Sequence, residues 1–136
     1  IGIKEATGDL NRLAEIKALV NDDFALYSGD DATGCDFILQ GGHGVISVTT
    51  NVAPAQMAKM SELALNGQAE AAKEIDSQLS PVHNKLFVEA NPIPVKWACA
   101  ELGLIPTAVL RLPLTTLSEQ YRKVVRDALT EAKLFL

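Results

Sequence analysis

The sequence contains few of the residues that define several classes of protein. It has two cysteines, Cys35 and Cys99, two histidines and one tryptophan, and no cluster of cysteine, histidine and acidic residues has the spacing of a metal site. No apolar run approaches the roughly 20 residues that cross a bilayer. No basic segment followed by an apolar stretch resembles a signal peptide. We therefore expect a cytoplasmic protein with reduced thiols, no metal and no membrane partner.

Positive charge is also scarce. The chain has 12 lysines and arginines against 17 aspartates and glutamates, a formal net charge of −5, and no basic run. This balance lacks the positive surface that nucleic-acid-binding proteins need. With 48% hydrophobic and 21% charged residues, the 136 residues are sufficient for one folded domain. They are too few for a complete (β/α)₈ barrel, which typically takes about 250 residues.

The first 53 residues alternate between strand-like and helix-like patterns. Short apolar segments predict strands, and apolar residues three and four positions apart predict helices. We expect strands at 1–5, 24–28 and 45–49, one helix over about 10–20 with Asp9 as its N-cap, and a second helix that ends near residue 40. This β-α-β-α-β order predicts a parallel sheet with right-handed crossovers.

The pattern becomes helical after Asn51. Pro54 suits the first turn of a helix. Helices are predicted over about 54–65, 68–79, 82–89 and 93–102, with interruptions at Gly67, Pro81 and Asn91-Pro92. The capping-box spacing of Thr116 and Glu119 predicts the start of a last helix. We therefore divide the chain into an α/β part over 1–53 and a helical part over 54–136.

Lys4 is the residue that most clearly suggests chemistry. It lies at the carboxyl end of the first strand, where the active sites of parallel α/β proteins are found. Alternation along the strand puts Lys4 and Gly2 on one face and the isoleucines and Glu5 on the other, toward the helices. A lysine inside a barrel is desolvated, and its neutral amine can form a Schiff base with a carbonyl substrate. The alternative is a solvated edge lysine paired with an aspartate.

Two further segments carry polar or glycine-rich patterns. Ser28-Gly29-Asp30-Asp31 follows the second strand, and helix capping explains it better than metal binding. Gly41-Gly42-His43-Gly44 precedes a strand, whereas a phosphate-binding loop follows one, so we interpret it as a helix stop and turn. His43 and His83 are expected to be structural or surface residues. Trp97 and Cys99 are expected to pack in a core.

These segments together resemble the dihydrodipicolinate synthase family. Ile1-Gly2-Ile3-Lys4-Glu5-Ala6-Thr7-Gly8-Asp9 looks like the Schiff-base lysine strand of that family, and Ser28-Gly29-Asp30-Asp31 is similar to its next strand end. The resemblance continues through Gly41 to Val48, through His83 to Glu89, and through Asn91-Pro92-Ile93-Pro94-Val95-Lys96. The last of these segments favours the synthase over related pyruvate aldolases such as N-acetylneuraminate lyase.

The resemblance implies a fold and an activity. The fold is a TIM (β/α)₈ barrel, of which this chain would hold strands six to eight, their helices and a C-terminal helical extension. Lys4 would form an imine with pyruvate, and the derived enamine would attack L-aspartate 4-semialdehyde in lysine (diaminopimelate) biosynthesis. The backbone near Gly29 and Ile46 would line the pyruvate pocket. The family uses no metal or other cofactor and commonly forms homotetramers.

The same resemblance implies that several functional groups lie outside these residues. The proton-relay tyrosine and threonine, the arginine that holds the substrate carboxylate and the lysine-inhibition site belong to the N-terminal half, and neither Tyr27 nor Tyr121 occupies the relay position. We therefore expect the 136 residues alone to be inactive, with Gly2 and Lys4 exposed and the sheet edges prone to association. Two alternatives remain open: a related pyruvate-dependent lyase, and a non-catalytic helical assembly module.

Overall fold

The computed structural model describes residues 1–135 and divides the chain into two compact units. The first unit consists of Ile1–Ser47 and Ala55–Ser77. The second consists of Val48–Pro54 and the chain from Gln78 onward. The division that we place between residues 53 and 54 stays a prediction.

The first unit contains a three-stranded parallel sheet, as the alternating pattern predicts. Its strands are β1 (Gly2–Glu5), β2 (Ala25–Ser28) and β3 (Gly44–Val45), in that spatial order. The crossover helices are α1 (Leu10–Lys17) and α2 (Gly34–Leu39). In the register, Lys4 pairs with Tyr27, and Tyr27 pairs with Gly44. Parallel pairing puts all three carboxyl ends at one edge of the sheet.

Helix α1 forms where its cap and its apolar stripe predict it. The Asp9 carboxylate accepts a hydrogen bond from the Asn11 amide at 2.9 Å and so satisfies one of the free N–H groups of the first turn. Leu13 packs in a core with Leu26 and Phe37, and all three side chains are buried. The helix ends at Lys17, three residues earlier than we expected. This core of Leu13, Leu26 and Phe37 packs the two crossover helices against one face of the sheet.

Strand β3 is shorter than the predicted strand over 45–49. It comprises only Gly44 and Val45, although the Ile46 amide still donates to the Ser28 carbonyl at 2.8 Å. The chain then turns at Val48 into a 3₁₀ helix over Thr49–Asn51. The prediction is wrong there because the carbonyl of the buried Thr49 accepts from the amides of Val52 and Ala53, a local arrangement that excludes strand pairing.

His43 is a structural residue, as expected. Its amide donates to the Leu26 carbonyl at 2.8 Å, and its Nδ1 accepts from the Leu26 amide at 2.9 Å. Because a backbone N–H can only donate, this bond places the proton of the neutral ring on Nε2. The imidazole therefore takes the place of a backbone carbonyl as the acceptor for the Leu26 amide, one residue before β3 begins.

Replacing His43 is therefore expected to destabilise the fold. The change His43→Ala leaves the Leu26 amide without its acceptor and should lower the free energy of unfolding by about 1–3 kcal/mol. His43→Asn is the matched variant, because its side-chain oxygen lies as many bonds from Cβ as Nδ1 and can accept the same bond. Urea unfolding measures both. Equal losses for the two variants would show that the hydrogen bond to Leu26 does not contribute.

Four longer helices follow, and two of them correct predictions. They are α3 (Pro54–Leu65), α4 (Ala69–Lys85), α5 (Ile93–Glu101) and α6 (Glu119–Glu131). We expected a break at Pro81, but α4 continues through it. Proline costs a helix interior about 3 kcal/mol. Leu79, Val82 and Leu86 are each 1% exposed, and the burial of this apolar face offsets that cost.

The capping box predicted for the last helix is also wrong. Helix α6 begins at Glu119 with Ser118 at the N-cap position, and no side chain caps it. The side chain of Leu117, 1% exposed, belongs to the core of the second unit. The Ser118 amide points to a Glu89 carboxylate oxygen at 3.4 Å. Packing of Leu117 therefore fixes where the helix begins, and Thr116 is not its cap.

The second unit has an extensive apolar core. Trp97 and Cys99 are buried in it, as predicted, together with residues of α4, α5 and α6. Arg126 lies over the Trp97 ring, 5.5 Å from its centroid, and its Nη2 pairs with the Glu101 carboxylate at 2.6 Å. These contacts attach α6 to α5. None of the helices over residues 1–135 has both the length and the apolar character that crossing a membrane requires.

Candidate active site

Three strand ends bring the predicted site residues together. The Gly29 amide donates to the Glu5 carbonyl at 2.6 Å, and the Ile46 amide donates to the Ser28 carbonyl at 2.8 Å. The ladder therefore continues one residue beyond β2 and one beyond β3. Lys4, Gly29 and Ile46 lie at the same carboxyl edge, on consecutive strands, which is the position where parallel α/β proteins hold their ligands.

The Lys4 side chain lies across Gly29. A Cβ added to Gly29 would lie 3.2 Å from Lys4 Cγ, closer still to Lys4 Cε, and 2.6 Å from the Ala6 methyl. Nonbonded carbon atoms prefer separations of about 3.5–4.0 Å. Only glycine therefore leaves room at this position for the lysine chain. Gly29 is needed for the space that it leaves, not for its backbone conformation.

Lys4 is exposed in this structure. Gly2 is exposed as well, as expected for a sheet face without further strands above it. Among residues 1–135 no acidic side chain forms an ion pair with Lys4, so the alternative of an edge lysine paired with an aspartate is not what the structure has. The Lys4 amine is therefore not buried by the residues that the structure describes, although we expected it to be desolvated.

The neighbouring Glu5 carboxylate is almost fully buried and has several donors. It accepts from the Thr7 amide at 3.1 and 3.2 Å, from the Thr7 hydroxyl at 2.9 Å and from Arg12 Nε at 3.2 Å. Burial favours a raised pKa for Glu5, but the hydrogen bonds from Thr7 and Arg12 outweigh it, and the pKa is lowered. The ionised network therefore stabilises the fold above the ordinary pKa of a glutamate, and this contribution is lost as the pH falls through the lowered value.

The Ser28–Asp31 segment is a turn, but the helix capping that we expected from it is not found, because α2 has Thr33 at its N-cap position and no side chain caps it. The Ser28 hydroxyl accepts from the Asp30 amide at 3.1 Å. The Asp30 carboxylate accepts from the Thr33 amide at 3.0 Å and from the Thr33 hydroxyl at 2.8 Å, just before α2 begins. Within residues 1–135 no three histidine, cysteine or acidic side chains are grouped so that they could hold a metal ion.

The two cysteines are free and buried. Burial, and next the carboxylates of Asp76 and Asp36, raise the pKa of the Cys35 thiol to about 11. Burial also raises the pKa of the Cys99 thiol. Both thiols are therefore protonated at neutral pH and poor nucleophiles. The second histidine, His83, is 3% exposed with its Nδ1 2.8 Å from the Thr49 hydroxyl, which is a core position as expected.

Two residues of this region, Tyr27 and Glu5, were not predicted from the sequence as part of the site. Tyr27 pairs with Lys4 in the register and is two residues before Gly29, so alternation along β2 puts it on the face that carries Lys4. Its side chain is 37% exposed. Alternation alone was sufficient to find it. Glu5 was assigned only to the opposite face, and its partner Arg12 lies seven residues away on α1, so no local spacing indicated the pair.

The arrangement defines a class of protein before it defines a family. It is a parallel α/β protein with a lysine at the carboxyl end of a strand, on the side where such proteins carry functional groups. The sequence profile of the Dihydrodipicolinate synthetase family matches residues 1–132. The chain belongs to that family.

Individual relatives agree with this assignment. The 4-hydroxy-tetrahydrodipicolinate synthase of Psychromonas ingrahamii is 75% identical over 134 residues, which are 98% of this chain and 46% of the relative. The synthase of Escherichia coli O139:H28 is 60% identical over the same shares of the two chains. This chain therefore spans about half the length of the curated relatives that it matches.

Solved structures match the fold as well. The chloride-inhibited dihydrodipicolinate synthase from Acinetobacter baumannii, complexed with pyruvate, is 46% identical with a TM-score of 0.93, over 98% of this chain and 46% of that one. The synthase from Aquifex aeolicus is 37% identical with the same TM-score, over 100% of this chain and 46% of that one. The α/β fold with its parallel sheet is therefore the fold of the corresponding part of these enzymes.

Proposed function

We propose that this chain supplies the lysine-bearing part of a 4-hydroxy-tetrahydrodipicolinate synthase, a Schiff-base lyase that condenses pyruvate with L-aspartate 4-semialdehyde. The observation that carries the proposal is the position of Lys4 at the edge where the three strands end, with its side chain resting on Gly29. The names of the relatives and the pyruvate in the Acinetobacter baumannii enzyme support the choice of reaction and of substrate.

In the proposed reaction, the Lys4 amine adds to the ketone carbon of pyruvate, and water leaves to give an imine. Loss of a methyl proton converts the imine to an enamine. The enamine carbon attacks the aldehyde carbon of L-aspartate 4-semialdehyde and forms the new carbon–carbon bond. The aldehyde oxygen takes up a proton and becomes the hydroxyl of the product. The amino group of the semialdehyde then displaces Lys4 from the imine carbon, which closes the ring and returns Lys4 as the free amine. No step needs a metal or an organic cofactor.

The other two site residues would shape the pyruvate pocket. The amides of Gly29 and Ile46 both donate within the sheet, to Glu5 and Ser28. These residues therefore offer the bare backbone surface of Gly29 and the side chain of Ile46, which is 52% exposed, instead of N–H donors. A small ketoacid with an apolar methyl group fits such a surface, and the acid group would need a donor from elsewhere.

The proposal extends to the whole enzyme. The sheet of three parallel strands would be strands six to eight of a TIM (β/α)₈ barrel, and the second unit would be its C-terminal helical extension. The whole enzyme would be a homo-oligomer, as the resemblance to the family implies, and the sheet edges that are open in these 136 residues would be paired within the closed barrel. Two free cysteines suit the cytoplasm, where thiols are kept reduced.

Trapping with pyruvate and borohydride tests the proposal. Reduction of the imine fixes the three-carbon unit on the amine that formed it, and peptide mass analysis locates it. We expect the adduct on Lys4, in the full-length polypeptide that carries these residues. A panel of aspartate semialdehyde and N-acetylneuraminate then separates the synthase from a sialic-acid-cleaving lyase. An adduct on any other lysine would overturn the site assignment.

The 136-residue chain by itself is expected to be inactive in the condensation. Lys4 is exposed in it, so the amine is not desolvated, and the family's proton relay and carboxylate-binding arginine are implied to lie elsewhere. The assay follows formation of the condensation product by the purified chain and by the full-length polypeptide at equal concentrations. Condensing activity in the purified 136-residue chain would contradict this expectation.

A further inference from the structure

We infer that Glu5 is a positioning residue for Lys4, acting through the turn that follows β1. This inference rests on the proposed function, because it concerns the orientation of the amine that would attack pyruvate. The partners of the Glu5 carboxylate are Thr7 and Arg12, and Glu5 and Lys4 alternate to opposite faces of β1. Its effect would pass through Ala6, whose methyl group and the Lys4 side chain both lie close to the space over Gly29.

The turn over residues 5–7 is held by hydrogen bonds between the Glu5 side chain and Thr7. Both carboxylate oxygens of Glu5 accept from the Thr7 amide, at 3.1 and 3.2 Å, and the Thr7 hydroxyl donates at 2.9 Å. These bonds hold residues 5–7 in one conformation. Ala6 lies between the two bonded residues, so its methyl group is fixed. That methyl lies 2.6 Å from where a Cβ of Gly29 would be, beside the Lys4 chain.

Further hydrogen bonds join this turn to helix α1 and to the end of β2. Arg12 Nε, on α1, donates to Glu5 Oε1 at 3.2 Å, and the Asp9 amide donates to the Thr7 hydroxyl at 3.2 Å. The backbone carbonyl of Glu5 accepts from the Gly29 amide at 2.6 Å. Glu5 thus connects three parts of the fold: the end of β1, the start of α1 and the end of β2.

Residue 5 has to be a carboxylate because two acceptor oxygens are needed for the donors of Thr7 and Arg12. The Glu5 side chain is 7% exposed, and the Arg12 side chain is 49% exposed. A glutamine has the same shape but only one acceptor oxygen, and its amide group would place N–H groups against the N–H donors of Thr7 and Arg12. The turn would lose bonds, while Arg12 could still be solvated. The expected result is a looser turn in a folded protein.

Loss of position is costly for imine formation. A misplacement of about 1 Å at a reacting group can reduce a rate by about 10²-fold. Pyruvate itself would still be held by the rest of the pocket. We therefore expect Glu5→Gln to lower the rate of imine formation at saturating pyruvate by about 10- to 100-fold, with the half-saturating concentration changed by less than about threefold.

The test measures quenched borohydride trapping of the full-length polypeptide over time, at several pyruvate concentrations, with circular dichroism at the assay temperature. Glu62→Gln is the matched control, because Glu62 forms an exposed ion pair with Lys59 at 3.0 Å on α3 and its loss should leave the rate unchanged. Thr7→Val removes the hydroxyl bond at an exposed position, and Thr7→Ser keeps it. We expect Thr7→Val to slow trapping severalfold and Thr7→Ser to restore it.

The outcomes are distinct. A folded Glu5→Gln protein that traps pyruvate at the parent rate, or equal rates for Thr7→Val and Thr7→Ser, would overturn the positioning role and leave the proposed function intact. If Glu5→Gln does not fold, the Thr7 pair decides. If the parent protein forms no adduct on Lys4, the proposed function fails, and the role of Glu5 fails with it.

Discussion

Lys4→Arg is expected to abolish the trapping of pyruvate and to lower condensation by about 10³-fold or more. The guanidinium of arginine keeps the positive charge and much of the aliphatic chain, but it stays protonated and cannot attack a carbonyl carbon. The loss would therefore report the missing nucleophile and not a changed surface charge. The measurements are borohydride trapping with mass analysis and the steady-state rate of the full-length polypeptide.

Lys59→Arg is the control for this experiment. Lys59 is an exposed lysine on α3 whose ammonium pairs with Glu62, so the same change there should leave trapping and turnover unaffected. Both variants should unfold at the same urea concentration as the parent, because Lys4 makes no ion pair within residues 1–135. A Lys4→Arg protein that still traps pyruvate on another amine would show that Lys4 is not the reactive lysine.

Much of this site could be predicted from local patterns. The strand and helix periods of the first 50 residues predict parallel strands and put Lys4 at a carboxyl end, whereas Gly29 and Ile46 were indicated only by the resemblance to the family. The Asp9 cap and the turn at Asp30 follow from side chains that bond their own backbone nearby. Interactions within a few residues are encoded by residue type and spacing.

The errors have a common physical origin in packing between distant segments. Pro81 breaks a helix by every local rule, yet α4 continues because residues on either side of it are buried. Thr116 has the spacing of a cap, yet burial of Leu117 moves the helix start. The pairing of Glu5 with Arg12 depends on how α1 returns over β1. Each of these features depends on contacts between residues that are distant along the chain, and local spacing in the sequence does not indicate such contacts.

Gly29→Ala is the second change with a large expected effect. The new methyl group would meet the Lys4 chain and, at 2.6 Å, the Ala6 methyl. The lysine can move aside at little cost to the fold, since its end is flexible and exposed. Ala6 can relieve the overlap only by a backbone shift, so we expect a loss of about 1–3 kcal/mol in the free energy of unfolding.

Gly29→Ala should also slow imine formation, separately from its effect on the free energy of unfolding. A displaced amine no longer meets the ketone carbon, and we expect trapping on Lys4 to slow by about 10²-fold in protein that is still folded. Gly67→Ala is the matched control: nothing lies within 4 Å of its new methyl group, and its φ of +72° costs about 1 kcal/mol of strain. Urea unfolding and timed trapping separate the two quantities. If the Gly29→Ala and Gly67→Ala proteins trapped pyruvate at the same rate, the contact between Gly29 and Lys4 would have no part in the chemistry.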